Sequence, residues 1–156
     1  MNRHALARRL RLILIGIALC GLLFYALLLP CFLRRSFPDD SVAFWAHLIL
    51  LWISGIPCYI VLWYGLRVVR NIDADRSFCA ENAAHLRAVS TLASLDAVYI
   101  FLCDILLLLL GVSEGMMLLL SVIIIFVGAA VSVSAAALSH LVLRAAELQE
   151  QSDLTI

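Results

Sequence analysis

Two aspartates lie inside a long apolar block, where a charged side chain is costly. Asp96 and Asp104 both fall within residues 89–110, a block made mostly of Leu, Val, Ile and Ala. A carboxylate near the centre of a bilayer costs roughly 2.5–3.5 kcal/mol on insertion scales. Each aspartate therefore needs a partner, and the two are chemically the most unusual residues of the chain.

Two histidines lie at matching depths in other apolar blocks. Counted along antiparallel helices, His140 lies toward the same side of the membrane as Asp96, and His47 lies toward the same side as Asp104. The depths predict two pairs, Asp96 with His140 and Asp104 with His47. These pairs would hold the helices in register.

The same aspartates could instead conduct a proton or a cation. Eight residues at 100° each leave Asp96 and Asp104 about 80° apart around their helix, so they do not form one tight stripe. The sequence also has no intramembrane Arg or Lys and no matching Gly/Pro interruptions in its two halves. Structural pairing is the favoured interpretation, and a small transporter or ion-conducting oligomer is the alternative.

The residues that most often carry catalysis or bind metals are scattered. No pair of histidines has a metal-ligand spacing, and the five cysteines form no C-x-x-C pair. No nucleophile with a positioned base is recognisable. We therefore expect neither an enzyme nor a bound cofactor or metal. The histidines are His4, His47, His85 and His140.

The composition identifies the solvent of this chain as a lipid bilayer. Of 156 residues, 65% are hydrophobic and 14% are charged, far from an ordinary soluble domain. A spanning helix needs about 20 apolar residues, and the sequence shows four such blocks. We predict an all-α integral membrane four-helix bundle, a single membrane domain over residues 1–156. The predicted helices cover about 10–33, 41–69, 83–110 and 116–149, with a loop at 70–82 and a tail at 150–156.

Local signals refine the ends of these helices and their orientation. Pro30 cannot continue a hydrogen-bond ladder, so the first helix is expected to end near it. Nine arginines lie at the N-terminal arm, the central loop and the C-terminus, against two on the other side. The excess predicts that both termini and the central loop are cytoplasmic, in the inner membrane. The net charge of zero disfavours direct nucleic-acid binding.

Small residues recur on the fourth predicted helix. Gly128, Ser132 and Ala136 are spaced every four residues, and small residues at this spacing let helix backbones approach closely in a membrane. The stripe predicts packing inside the bundle. A homodimer through the same face is the alternative.

Two polar segments carry a resemblance to a known family. The central segment contains Asn71-Ile72, Ser77-Phe78, Glu81-Asn82 and Leu86-Arg87, and the chain ends in Asp153-Leu154-Thr155-Ile156. Together with the four helices, these resemble the bacterial domain-of-unknown-function family 2975. The resemblance implies an uncharacterised integral membrane protein, often encoded beside a small helix-turn-helix regulator. It departs from the family pattern at Ala74, Asp75, Gln151 and Ser152.

The resemblance suggests a partner for the loop and the tail. Phe78, Glu81 and Asn82 of the loop, and Asp153, Leu154, Thr155 and Ile156 of the tail, are the candidate partner-binding residues. The leading hypothesis is a binding or regulatory membrane protein that holds a helix-turn-helix transcription regulator. For the loop the alternative is capping and anchoring of the helices. For the tail the alternatives are a frayed end, or docking back on Arg70, Arg76 or Arg87 through Asp153 and the terminal carboxylate. A purely structural membrane protein is a further alternative function.

Overall fold

A computed structural model describes residues 3–37, 41–74, 76 and 78–153 of the chain, with the backbone alone at residues 3, 4, 6, 152 and 153. Four long helices, α1 to α4, make up this part of the chain. Helix α1 is built from three consecutive segments, Arg3–Leu23, Phe24–Leu28 and Leu29–Ser36; α2 is Val42–Asp73, α3 is Ala80–Leu109 and α4 is Gly115–Asp153. All four are long and apolar enough to cross a membrane. The predicted all-α, four-helix membrane architecture is confirmed.

The helices extend beyond the predicted boundaries at most of their ends. The loop between α2 and α3 occupies residues 74–79, where the sequence predicted 70–82, and α4 continues into the predicted tail as far as Asp153. The observed helices are longer because their last turns consist of polar residues. Hydropathy detects the apolar part of a helix and does not detect the polar turns that continue into water. The tail residues Leu154, Thr155 and Ile156 lie outside the described residues.

The prediction that α1 ends near Pro30 was wrong, because a π-helical turn accommodates the proline. Phe24–Leu28 forms this turn, in which the N–H of Leu29 donates to the carbonyl of Phe24, five residues back. A proline ring clashes with the carbonyl four residues before it in a regular α-helix, and the wider turn relieves that crowding. Helix α1 resumes at Leu29 and continues to Ser36.

The helices pack as antiparallel neighbours in chain order. Helix α1 packs against α2, α2 against α3, and α3 against α4, with the most extensive contact between α3 and α4. Two α2 side chains donate hydrogen bonds to carbonyls of α1: Trp52 Nε1 to Tyr25 at 3.2 Å and Tyr59 OH to Ala18 at 3.1 Å. Because neighbours are antiparallel, the start of α1, the α2–α3 loop and the end of α4 share one end of the bundle, which we call the arginine-rich end.

The opposite end contains the main apolar core. Leu33 and Phe37 at the end of α1 pack with Phe44 and Leu48 of α2 and with Met117 at the start of α4. Ser41 caps the start of α2 by accepting a hydrogen bond from the Phe44 N–H at 3.1 Å. The turn between α3 and α4 passes through Gly111, whose positive φ of 69° favours glycine. This end is therefore fixed by packing and by short connections.

Most of the outward surface of the four helices is apolar. Large side chains such as Leu27, Ile56, Leu102 and Phe126 are more than half exposed. Continuous apolar surface of this extent is unfavourable in water, and hydrocarbon is the solvent that covers it. The chain is a multi-pass membrane protein.

Candidate functional site

A hydrogen bond between α2 and α3 lies near the middle of the membrane. Ser54 Oγ donates to Asp96 Oδ2 at 3.0 Å, and Ser54 is buried. Ser54 lies nine residues from both Trp45 and Trp63, and tryptophan is enriched at the two membrane interfaces. The other carboxylate oxygen, Asp96 Oδ1, is buried with no hydrogen-bond partner among the described residues. A half-satisfied carboxyl group thus lies between the helices at mid-depth.

Other polar side chains surround Asp96. Tyr25 of α1 and Cys58 of α2 lie within electrostatic range of each other and of Asp96. Tyr99, one turn along α3, donates to the Leu50 carbonyl at 3.4 Å. The cluster joins α1, α2 and α3 through polar groups that hydrocarbon cannot solvate.

His140 is not the neighbour of Asp96 in the structure. Ser139 Oγ donates to the Ala83 carbonyl at 2.7 Å, so His140 is level with the start of α3. That level is 13 residues from Asp96, about 20 Å along the helix axis. His140 is also exposed. The sequence overestimated how deep His140 lies, because α4 continues well beyond the apolar block.

Asp104 receives its hydrogen bond from α4. Ser121 Oγ donates to Asp104 Oδ1 at 3.1 Å, and Ser121 is buried. His47 of α2 is buried as well and lies within electrostatic range of Asp104. Its Nδ1 is bonded to the Ala43 carbonyl at 2.8 Å, and its ring stacks on Phe37. The structure therefore brings Asp104 and His47 near one another while giving Asp104 a serine as its direct partner.

The small-residue stripe of α4 packs against α3. Ser132 is buried and bonds with the hydroxyls of Ser90 at 3.1 Å and Ser94 at 2.6 Å. An added Cβ at Gly128 would lie 3.6 Å from both the Ala93 carbonyl oxygen and the Ala97 Cβ. Gly128 and Ser132 thus face the inside of the bundle, which leaves neither available to a second copy of the chain.

Ala136 does not continue this stripe. It is exposed, whereas Ala135 is buried. Each step of four residues turns about 40° past a full circle, so two such steps leave the contact face, whereas a step of seven residues drifts only about 20°. Alternating steps of four and three keep Gly128, Ser132, Ala135 and Ser139 directed at α3. The predicted role of Ala136 in helix packing belongs to Ala135.

A buried asparagine pair fixes the loop at the arginine-rich end. Asn71 Nδ2 donates to Asn82 Oδ1 at 2.8 Å, and Asn82 Nδ2 donates to the Arg76 carbonyl at 3.2 Å. The Arg76 N–H donates in turn to the Asn71 carbonyl at 2.9 Å. Asn82 is only 1% exposed. In this conformation Asn82 anchors the loop and cannot contact a partner.

The other two candidate loop residues are exposed. Phe78 is 58% exposed. Glu81 lies in the first turn of α3, where a negative side chain interacts favourably with the helix dipole. Its Oε1 is 3.4 Å from His85 Nε2. In the tail the backbone of Asp153 ends α4, and the side chains of the four predicted tail residues lie outside the described part of the chain.

Three hydrogen-bond partners of the candidate residues were not predicted from the sequence. Ser54 donates to Asp96 and Ser121 donates to Asp104. Asn71 donates to Asn82. A search for serines at the antiparallel register of each aspartate would have found the first two. Within the described residues, no three His, Cys, Asp or Glu side chains come close enough to hold a metal ion.

One comparison with known proteins gave a match. The family model described as "Protein of unknown function (DUF2975)" matches residues 31–156. That range covers α2, α3, α4 and the last turns of α1. No curated protein and no solved structure matches the chain.

Proposed function

Because the chain belongs to the DUF2975 family, whose function is unknown, we propose a function from its own exposed surfaces. The protein is a non-enzymatic binding protein of the inner membrane, with the arginine-rich end in the cytoplasm. Its loop and the end of α4 hold a cytoplasmic partner. The partner class that the family resemblance suggests is a helix-turn-helix transcription regulator.

The observation that carries this proposal is an exposed aromatic residue on an anchored loop. Phe78 is 58% exposed, while the asparagine pair beside it ties the loop to α2 and α3. Residues that are already held in place lose little conformational entropy when a partner binds. Aromatic side chains are enriched among the residues that dominate protein interfaces. Phe78 is thus a preorganised anchor.

The end of α4 offers a second contact surface at the same end. Residues 141–153, which we call the α4 extension, run from near the level at which α3 begins to the end of α4. Leu141, Ala145 and Leu148 fall at spacings of four and three on one face, and Leu141 and Leu148 are about two-thirds exposed. Apolar residues at these spacings are the anchors of helix-in-groove recognition. Asp153, the first of the predicted tail residues, is the last residue of α4, and Leu154, Thr155 and Ile156 follow it in the sequence.

A crosslinking pull-down from native membranes tests the proposal. The parent chain is compared with Phe78→Ser, with Leu148→Ser and with a chain that stops after Gln151. Leu110→Ser is the matched control, because Leu110 is similarly exposed at the opposite end of the bundle. We expect a DNA-binding regulator to be captured by the parent and by the control, and capture to fall at least several-fold for Phe78→Ser and Leu148→Ser.

The variants separate the two surfaces from each other. Loss on truncation alone would assign the contact to the tail, whereas loss with Phe78→Ser alone would assign it to the loop. If the parent captures no regulator, or if Leu110→Ser reduces capture as much as Phe78→Ser does, the partner-binding proposal is wrong.

Ion transport is the second candidate, and Asp96 is the observation that favours it. Its Oδ1 is buried at mid-membrane depth with no hydrogen-bond partner in the described part of the chain, and polar groups in such positions often belong to ion or proton pathways. Flux is measured in proteoliposomes for the parent, Asp96→Asn and Asp104→Asn. Flux in the parent that is lost in Asp96→Asn supports transport, and no flux in the parent excludes it for the ions tested.

A further inference from the structure

A long groove lies on the outer face of the bundle between α1 and α2. Its volume is about 770 Å³, within the range of roughly 300–1,000 Å³ that is usual for small-molecule sites. Residues of both helices line it, and a second concavity continues it toward the opposite end of the bundle. The walls include Leu22, Tyr25, Trp52, Ile56, Ile60 and Trp63.

The walls of the groove present almost no polar atoms. Two polar groups of its lining residues are already bonded across the helix pair, since Trp52 Nε1 donates to the Tyr25 carbonyl and Tyr59 OH donates to the Ala18 carbonyl. The groove therefore offers mainly aromatic and aliphatic carbon to an occupant. This chemistry suits a hydrocarbon chain better than a polar solute.

The groove has the length of one membrane leaflet. It extends along α2 from Trp52 to Trp63, which is 11 residues or about 16 Å of helix. The hydrocarbon core of a bilayer is about 30 Å thick, so 16 Å is close to half of it. With Trp63 at the interface and Ser54 at mid-depth, the groove occupies the leaflet on the arginine-rich side.

Two arginines lie where the groove reaches the membrane surface. The Arg67 guanidinium carbon is 4.2 Å from the centre of the Trp63 ring, a cation–π contact that holds the charge over the groove end. Arg70 is 18 residues from Trp52, five full turns, so it shares the face of α2 that Trp52 occupies. Both arginines are exposed. The nearby Asp73 is engaged by Arg11 at 3.8 Å.

We infer that this groove binds an anionic phospholipid of the leaflet on the arginine-rich side. An acyl chain lies along the apolar walls, and the headgroup phosphate meets Arg67 and Arg70. Guanidinium groups bind phosphate with well-defined geometry, and basic sites between helices near the membrane surface recognise anionic headgroups. The inference is independent of any cytoplasmic partner.

A second copy of the chain fits the same groove poorly. In a two-fold dimer with its axis along the membrane normal, each subunit presents the same patch to the other. Arg67 and Arg70 of one copy would then face the same arginines of its partner, and like charges across an interface are unfavourable. The lipid supplies the opposite charge instead.

The tryptophans themselves report on the occupant. Trp45, Trp52 and Trp63 are the only tryptophans of the chain, and they fall within about 20° of one another on α2. Brominated acyl chains quench tryptophan fluorescence on contact. The protein is therefore reconstituted in vesicles of phosphatidylcholine with increasing phosphatidylglycerol, with bromine on the chains of one lipid or of the other. A Trp45→Phe background leaves only the two groove tryptophans.

We expect phosphatidylglycerol to occupy the groove several-fold more strongly than its mole fraction predicts. Arg67→Gln with Arg70→Gln is expected to reduce this preference to about one. Arg87→Gln, an exposed arginine on α3 outside the groove, is the control and is expected to retain it. All changes are at exposed positions, and circular dichroism together with gel filtration verifies that each variant folds.

Three results would each overturn the inference. The first is equal quenching by the two lipids in the parent, and the second is a preference that persists when both arginines are replaced. The third is quenching by neither lipid together with efficient crosslinking between copies through a cysteine at Ile56, because a second protein chain would then fill the groove.

Discussion

At the scale of single residues, Asn82 stabilises the conformation of the arginine-rich end. Its amide accepts from Asn71 and donates to the Arg76 carbonyl, so one side chain satisfies both a neighbouring helix and the loop between them. A buried amide with its partners in place fixes a conformation, whereas one without them costs free energy. Asn82 thus holds Arg76 of the loop beside the end of α2 and the start of α3.

Replacing Asn82 with alanine should therefore destabilise the protein. We expect a loss of about 1–3 kcal/mol, because the variant leaves the Asn71 side chain and the Arg76 carbonyl without partners. The free energy of unfolding is measured by denaturant titration in micelles. Arg87→Gln, exposed on the same helix, should change it by no more than about 0.5 kcal/mol. Equal effects of the two changes would contradict the anchoring role.

The sequence identified the residues that need partners better than it identified the partners. The cost of burying a carboxylate follows from Asp96 and Asp104 alone, and the structure gives each a hydroxyl donor from another helix. The choice of Ser54 over His140 depends on where α4 leaves the bilayer. Hydropathy does not mark that point, because a helix continues into water without a change of backbone structure.

At the scale of elements, the packing of α3 on α4 depends on which small residues face the contact. Gly128 lies against the Ala93 carbonyl and Ala97, while Ala136 is exposed. The sequence predicted the small-residue stripe but placed its third member one residue too far along. Steps of four residues and alternating steps of four and three both pass through Ser132, and they differ only at the next step, at Ala136 or Ala135.

Bulky substitutions distinguish these two positions. Gly128→Leu should destabilise the bundle by about 1–3 kcal/mol through overpacking, and Ala136→Leu should have little effect because its side chain points away from α3. Gly128→Ala is expected to be tolerated, since its Cβ would meet its neighbours at ordinary contact distance. Unfolding in detergent mixtures measures all three. A larger loss for Ala136→Leu than for Gly128→Leu would show that the other face is the packed one.

At the scale of the whole molecule, the distribution of arginine predicts the orientation. The start of α1, the α2–α3 loop and the end of α4 lie together at the arginine-rich end because neighbouring helices are antiparallel. An excess of Arg in short loops faces the cytoplasm. The orientation is predictable from the sequence alone, since the charge bias is set by loop residues and does not depend on packing. The number of helices and the all-α class are predictable because they too follow from the sequence pattern and do not depend on packing.

Cysteine labelling tests the orientation. In a background with the five native cysteines changed to serine, Ala74→Cys lies in the loop at the arginine-rich end, and Glu114→Cys lies in the turn at the other end; both positions are exposed. A membrane-impermeant maleimide should label Glu114→Cys in intact cells and Ala74→Cys only after the membrane is opened. The reverse pattern would place the arginine-rich end outside.

The π-helical turn of α1 also bears on how the length of this helix can change. A π turn holds one residue more than an α turn, so removing a single residue from Phe24–Leu28 converts it to a regular turn and keeps both flanking segments facing their present neighbours, although it restores the crowding between the Pro30 ring and the carbonyl four residues before it. Removing a residue earlier in α1 rotates everything beyond it by about 100°, turning Leu29 and Leu33 out of the core. The turn is thus the one segment of α1 in which a single-residue deletion leaves the faces of the helix in phase.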